Sequence, residues 1–234
     1  MSPTIFFDFD GTLALGDGPI TAFAREISAR MNDAEFIDRA DAALAAFASG
    51  EHSYRDGYDA VTSVALAEGV DRDVIGASYN ASRAILGSDG AAVAPPSGLA
   101  EFFERVGAQA NLELATNAPG SGVVAVLESW GVADVFDAMH FSVGKPEGLE
   151  PVLTAALDRG PVLSIGDIFE FDLAPASRLG ADTALVGATA SSSAVATTMR
   201  GASLADLYDE IIAWVAASTS SSAIPNTTSP ERSN

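Results

Sequence analysis

Two spacing patterns of apolar residues alternate along the chain. Five short apolar runs have the length of buried strands, at residues 5–7, 112–115, 139–143, 161–165 and 182–186. Segments with apolar residues every three or four positions follow these runs, and they predict helices that end near residues 130, 158 and 179 and a last helix over 204–217. Strands that alternate with helices are typical of an α/β fold with a Rossmann-like, doubly wound parallel sheet.

The interval of about a hundred residues between the first two runs is too long for a simple connection, because a parallel crossover needs only about a dozen. Most of this interval has helical periodicity, over 20–31, 34–48, 54–68 and 71–86. Gly- and Pro-rich segments at 16–18 and 94–98 are typical of hinges. We therefore expect a small all-helical cap domain over 16–96, which closes as a lid over an α/β core formed by 1–15 and 97–217.

Composition limits the class of protein. The chain has 234 residues and 48% hydrophobic content, which is enough for a substantial core. It has no cysteine, so disulfides, thiolate catalysis and Cys-type zinc sites are excluded. A secretory signal pattern and a bilayer-spanning apolar run are also absent from the sequence, so we expect a soluble cytoplasmic protein. Residues 218–234 are rich in Ser and Thr and are expected to form a disordered tail.

Charge excludes several partners. The chain has 12 basic and 32 acidic residues, a formal net charge of −20, and this surface would repel nucleic acids and anionic membranes. A site for an anionic substrate would need its own local cation. The chain has a single lysine, Lys145, at a strand-to-helix junction between Gly144 and Pro146. A lysine there serves well as a point charge on a phosphate oxygen. The oligomeric state is left open.

Two carboxylates follow the first apolar run. Asp8 and Asp10 are two residues apart, and on a strand such side chains point to the same face. Two carboxylates held close together are stable when a cation lies between them, and Mg²⁺ prefers oxygen ligands. Gly11 then allows the backbone to turn close to a ligand, and Thr12 adds a hydroxyl. The sequence therefore predicts a metal and anion site at the end of this strand.

Polar groups also follow the later strands. Thr116 and Asn117 follow the second strand, Lys145 the third, and Asp167 with Asp172 the fourth. Each alone has an ordinary explanation, since Thr-Asn is common at helix N-caps and Gly-Asp in turns. Ligands of doubly wound sheets bind outside the carboxyl ends of the strands. The ordered series therefore predicts one shared site.

These residues resemble the four motifs of the haloacid dehalogenase superfamily of phosphohydrolases. The segment 8–12, Asp-Phe-Asp-Gly-Thr, is similar to the first motif, Thr116 to the second and Lys145 to the third. Gly166-Asp167 with Asp172 is similar to the fourth, and the helical insert resembles the cap that part of the family carries between motifs one and two. The sequence after the lysine, Pro-Glu-Gly-Leu, departs slightly from the commonest third motif.

The resemblance implies roles for these residues. Asp8 would be the nucleophile and Asp10 the general acid and base, while Thr116 and Lys145 would hold the phosphoryl oxygens. Mg²⁺ would be held by Asp8, by the backbone carbonyl of Asp10 and by Asp167, with Asp172 acting directly or through water. Substrate-binding contacts are expected from Gly11, Thr12, Asn117 and Arg55.

We expect a Mg²⁺-dependent phosphatase that acts on a small phosphorylated metabolite through an aspartyl-phosphate. The dehalogenating branch of the family lacks an acid at the position of Asp10. A phosphomutase with the same intermediate and a non-catalytic binding or regulatory module are the alternatives. Residues 50–55 of the cap are the local candidates for contacts to the leaving group. Arg55 is the residue expected to make such a contact. His52 and Tyr54 are expected in a solvated loop.

Overall fold

The computed structural model describes residues 2–49, 54–187 and 190–221. Its centre is a six-stranded parallel sheet in the order β3-β2-β1-β4-β5-β6. The strands are β1 (Thr4–Phe7), β2 (Asn111–Ala115), β3 (Ala138–His140), β4 (Val162–Gly166), β5 (Asp182–Leu185) and β6 (Met199–Arg200). This strand order is that of Rossmann-like, doubly wound folds, so the predicted fold class is confirmed.

The central strand β1 is apolar because both of its faces are covered. All four of its residues are buried, and β2 and β4 pair with it in parallel on either side. Phe7 packs edge-on against Phe102 and Phe103 on one face of the sheet. Phe6 belongs to a separate apolar cluster on the other face. A continuous apolar run is typical of such a strand.

In the described part of the chain, five helices cover the two faces of the sheet: α5 (Leu99–Gly107), α6 (Gly120–Ser129), α7 (Glu150–Leu157), α8 (Ala174–Arg178) and α9 (Tyr208–Ser221). Helices α5, α6 and α9 contribute apolar side chains to the cluster around Phe7. Helices α7 and α8 contribute to the cluster around Phe6. Because all the strands are parallel, their carboxyl ends lie on one edge of the sheet.

Among the residues described between β1 and β2, four further helices are present: α1 (Gly18–Met31), α2 (Phe36–Ala48), α3 (Gly57–Ala67) and α4 (Arg72–Ala84). They share an apolar core of their own that includes Phe23, Phe36 and Val61. The two connections to the sheet run side by side, since Leu15 and Ala94 exchange backbone hydrogen bonds of 2.9 and 3.0 Å. The division into core and cap stays a prediction, and these features support it.

Several elements differ from the sequence prediction. Helix α5 and the two-residue strand β6 were not predicted, and β6 is too short to leave an apolar pattern. The helix after β4 begins with a π-helical turn, Phe169–Leu173. Helix α9 continues to Ser221 into the predicted tail, because Thr219 and Ser220 donate to the carbonyl of Ala216. Residues 222–234 lie outside the described residues.

No helix in the described ranges is long and apolar enough to cross a membrane.

Candidate active site

The carboxyl edge of the sheet borders a cavity of about 180 Å³ between the sheet and the helical insert. Seven of the residues predicted from the sequence line it: Asp8, Asp10, Thr116, Asn117, Lys145, Asp167 and Asp172. They come from four separate connections, after β1, β2, β3 and β4. The structure therefore brings the predicted strand-end residues together. Their individual roles stay predictions.

The segment after β1 leaves the sheet in a tight turn. The backbone N–H of Asp8 donates to the carbonyl of Ile165 at 2.9 Å, so Asp8 continues the pairing with β4. Gly11 has φ +77°, in the left-handed region that favours glycine. A Cβ atom at Gly11 would lie 2.3 Å from Oδ2 of Asp167. Glycine at this position therefore makes room for the Asp167 carboxylate.

Lys145 is held between two carboxylates. Its Nζ donates to Oδ1 of Asp8 at 2.6 Å and to Oδ1 of Asp172 at 2.7 Å, and its side chain is only 3% exposed. Its backbone N–H donates to the side-chain oxygen of Asn117 at 2.8 Å, which fixes the loop after β3. Burial lowers the pKa of the Lys145 ammonium, but Asp8 and Asp172 raise it by more. The net pKa lies above the usual range, so Lys145 stays charged.

Carboxylate oxygens of Asp8, Asp167 and Asp172 lie within 4.8 Å of one another. Burial raises the pKa of Asp8 to about 7, with Lys145 lowering it and Asp172 raising it. Burial, and then Asp8, raises the pKa of Asp167 well above its usual range. A single ammonium cannot balance three close carboxylates. This all-oxygen donor set fits a hard divalent cation such as Mg²⁺.

The carboxylate of Asp10 does not join this cluster. Its Oδ1 accepts a hydrogen bond of 2.8 Å from Nη1 of Arg83, which is on α4 of the insert. The same Nη1 donates to the hydroxyl oxygen of Tyr58 on α3 at 3.1 Å. The structure pairs the Asp10 carboxylate with Arg83, and a cation shared between the side chains of Asp8 and Asp10 stays a prediction. The expected contribution of Asp10 to the metal, its backbone carbonyl, stays a prediction.

Arg83 is the main residue that the sequence reasoning missed. Its side chain is 2% exposed, and its guanidinium lies 6.0 Å from the centre of the Phe9 ring. Burial lowers the pKa of Arg83, but Asp10, Tyr58 and Tyr79 together raise it by more, and the net shift is upward. Arg83 follows Ile75 and Tyr79 at intervals of four residues on α4. A cation on the apolar stripe of a helix was the signal that could have identified it.

Among the described residues, the insert supplies three that line the cavity. These residues are Asp56 at the N-cap of α3, Tyr58 on α3 and Tyr79 on α4. Phe171 lines the cavity from the turn after β4. The rings of Tyr58 and Tyr79 meet edge to face at 5.6 Å. These residues were not among the sequence-predicted site residues.

Three predicted substrate-binding residues do not line the cavity. Gly11 lies against Asp167, and Thr12 is buried with its hydroxyl unpartnered by any described residue. The side chain of Arg55 is 63% exposed and pairs with Asp59 at 2.8 Å. Arg55 lines a neighbouring cavity of about 250 Å³ that shares Asp167 with the first. Residues 50–53, with His52, lie outside the described residues.

Comparisons with known proteins give a structural match and no match in sequence. No protein-family model matches the chain, and no curated protein matches it in sequence. YfnB from Bacillus subtilis, described as a HAD-hydrolase and bound to magnesium, aligns with a TM-score of 0.60 at 19% identity, over 90% of this chain and 98% of that one.

Two other solved structures are similar. A HAD phosphatase from Thermococcus onnurineus aligns with a TM-score of 0.56 at 16% identity, over 90% of this chain and 98% of that one. L-2-haloacid dehalogenase from Xanthobacter autotrophicus aligns with a TM-score of 0.52 at 16% identity, again over 90% and 98%. The similarity covers the sheet and the insert alike, and it agrees with the motif resemblance. The chain therefore has the fold of the haloacid dehalogenase superfamily of hydrolases.

Proposed function

We propose that this protein is a Mg²⁺-dependent phosphatase that hydrolyses a small phosphate monoester through an aspartyl-phosphate on Asp8. The observation that carries the proposal is the buried contact of Lys145 with Asp8 and Asp172 in the cavity that Asp167 and Thr116 also line. Phosphoryl transfer depends mainly on positioning and on neutralising charge. A nucleophilic carboxylate beside a fixed ammonium meets both requirements.

The first step forms the covalent intermediate. A carboxylate oxygen of Asp8 attacks phosphorus as the bond from phosphorus to the leaving oxygen breaks. Asp10 enters this step protonated and gives its proton to the leaving oxygen, so the product departs as an alcohol and Asp10 is left as a carboxylate. In the second step Asp10 takes a proton from water. The water oxygen then attacks phosphorus, and the bond to Asp8 breaks to release inorganic phosphate.

The remaining residues stabilise the transferring group. Lys145 supplies a compact positive charge, and the Thr116 hydroxyl, which accepts from the N–H of Ala118 at 3.0 Å, keeps its proton for a phosphoryl oxygen. Asp8, Asp167, Asp172 and the carbonyl of Asp10 would hold Mg²⁺. When bound, the ion would reduce the repulsion between the phosphate dianion and Asp8.

Arg83 has a positioning role in this scheme. Arg83 donates to Asp10 from the insert. Asp10, the general acid and base, is therefore held in its orientation only when the insert lies against the sheet. The contact also connects Asp10 to Tyr58, at the cap side of the cavity. Closure of the insert would in this way complete the catalytic arrangement.

Dehalogenation is the competing reaction, since one of the similar structures is a haloacid dehalogenase. Halide leaves without a proton, whereas the alkoxide of a phosphate ester needs one. Asp10, with its carboxylate held by Arg83 beside the cavity, favours the phosphatase. A phosphomutase would use the same intermediate and pass the phosphoryl group to a sugar hydroxyl. Product analysis separates the three reactions. A phosphatase releases inorganic phosphate, a dehalogenase releases halide, and a phosphomutase yields an isomerised sugar phosphate.

The proposed function is tested by phosphate release from an aryl phosphate. We expect hydrolysis with Mg²⁺ and no hydrolysis after a chelator removes it, because the three clustered carboxylates repel an anion until a cation balances them. Added Mg²⁺ should restore the rate. Activity that persists in excess chelator would contradict the metal assignment, and halide release from a haloacid without phosphate release would contradict the function.

The positioning role of Arg83 predicts an effect that depends on the leaving group. Arg83→Met keeps most of the side-chain volume and removes the contact to Asp10. A misplaced catalytic group lowers the reaction rate by about a hundredfold. We expect the kcat for an alkyl phosphate to fall by about that factor. The kcat for an activated aryl phosphate should fall far less, because its leaving oxygen needs little help from an acid. Equal losses for both substrates would show a structural defect only.

A further inference from the structure

The cap side of the cavity has a different chemistry from the phosphoryl side. The insert lines it with one carboxylate, Asp56, and two aromatic rings, Tyr58 and Tyr79, and Phe171 adds a third ring from the turn after β4. Asp56 is the N-cap of α3, and its Oδ1 accepts from the backbone N–H of Asp59 at 2.6 Å. The wall therefore combines a fixed negative charge with aromatic surface.

The cations near this wall are already paired. Among the described residues that line the cavity, Lys145 is the one cation, and it is held by Asp8 and Asp172. Arg83 does not line the cavity and pairs with Asp10 through Nη1, while its Nε and Nη2 have no partner among the described residues. Arg55 pairs with Asp59 and lines the neighbouring cavity. Within the described ranges no cation forms an ion pair with Asp56. Among the charged groups that act on Asp56, Asp59 raises the pKa of its carboxyl and Arg55 lowers it, both by less than burial raises it. The negative charge of Asp56 is therefore offset only in part.

Burial raises the pKa of Asp56, since the charged form has lost solvent. A cationic ligand would offset this cost, whereas an anionic ligand would increase it. The aromatic rings support the same conclusion, because ring faces attract ammonium groups. The ring of Phe171 already has a cation near it, the Arg55 guanidinium at 5.5 Å from the ring centre.

We propose that the leaving group of the substrate carries a positively charged nitrogen, so that the substrate is a small amino-alkyl phosphate whose ammonium lies against Asp56 and the aromatic wall. The inference rests on the proposed function, because that function makes this end of the cavity the leaving-group site. A cavity of about 180 Å³ is below the roughly 300–1,000 Å³ of drug-sized ligand sites, which indicates a short leaving group.

The experiment measures binding separately from hydrolysis. Alkylphosphonates are suitable probes, because their carbon–phosphorus bond is not hydrolysed. Aminoethyl-, aminopropyl- and aminobutylphosphonate are compared by calorimetry with the matching alkyl- and hydroxyalkylphosphonates, on the full chain with Mg²⁺. We expect at least one amine to bind about tenfold or more tightly than both neutral counterparts. A gain of this size is typical of one hydrogen bond to a charged group.

Asp56→Asn is the variant that tests the residue. Asparagine caps helices as well as aspartate does, so α3 should keep its N-terminus while the charge is lost. Asp71→Asn is the matched control, since Asp71 caps α4 in the same way, accepting from Asp73 N–H at 2.7 Å, and is exposed outside the cavity. The preference for amines should disappear in the first variant and persist in the second.

The outcomes separate this inference from the proposed function. Equal binding of amino and neutral phosphonates by a protein that hydrolyses aryl phosphate would overturn the inference and leave the function standing. A preference for amines without hydrolysis of any phosphate ester would support the cavity chemistry and overturn the function. A preference that survives in Asp56→Asn would also overturn the inference.

Discussion

Asp8→Asn is expected to abolish turnover, with a loss in kcat of roughly 10⁴-fold or more, as when other enzymes lose their nucleophile. An amide cannot form the aspartyl-phosphate. The fold should persist, because asparagine has nearly the same volume and its oxygen can still accept from Lys145, which also keeps its bond to Asp172. The measurement is phosphate release with Mg²⁺, together with thermal unfolding of the variant.

The control for this variant is Asp71→Asn, the same chemical change at an exposed helix cap. Its kcat should equal that of the unmodified protein. Asp8→Asn protein that is folded and still turns over at the original rate would remove Asp8 from the role of nucleophile.

Lys145→Arg has the second-largest expected effect. The net charge is unchanged, so a surface lysine would tolerate the change. Lys145 is instead buried between carboxylate oxygens at 2.6 and 2.7 Å, and a planar guanidinium cannot replace a compact ammonium there. We expect kcat to fall by at least about a hundredfold, as when one preorganised donor is removed.

The matched control is Arg178→Lys, since Arg178 is a half-exposed cation that pairs with Glu150 on the protein surface. Its kinetics should be unaffected. A Lys145→Arg variant with unchanged kcat would contradict the assignment of Lys145 to the phosphoryl site.

The sequence predicted which strand-end residues lie together at the edge of the sheet, for a physical reason. In a parallel sheet all carboxyl ends lie on one edge, so strand-end residues such as Asp8, Thr116 and Asp167 meet once the strands are identified. Each of these residues directly follows a short apolar run that is buried in the structure. At these positions the apolar pattern of the sequence is sufficient to predict which residues meet at the edge of the sheet.

The cap side of the site was not predictable in the same way. Arg83 and Tyr58 reach Asp10 through packing between helices that are far apart in the sequence. An arginine on a helix usually faces solvent, and its burial depends on a partner that local spacing does not reveal. Arg55 was chosen from the sequence instead, and the structure places it in the neighbouring cavity. Asp56 was missed because an aspartate before a helix is already explained by its role as the N-cap, which accepts a backbone hydrogen bond.

In the proposed reaction the phosphoryl group passes from the substrate to a carboxylate oxygen of Asp8 and stays covalently bound there until water attacks. The direct measurement is mass spectrometry of protein that is quenched in acid within milliseconds of mixing with a phosphate monoester and Mg²⁺. We predict that the peptide containing Asp8 gains the mass of one phosphoryl group, and that the Asp8→Asn protein shows no such gain. Rapid release of inorganic phosphate with no phosphoryl group on this peptide at any quench time would contradict the account.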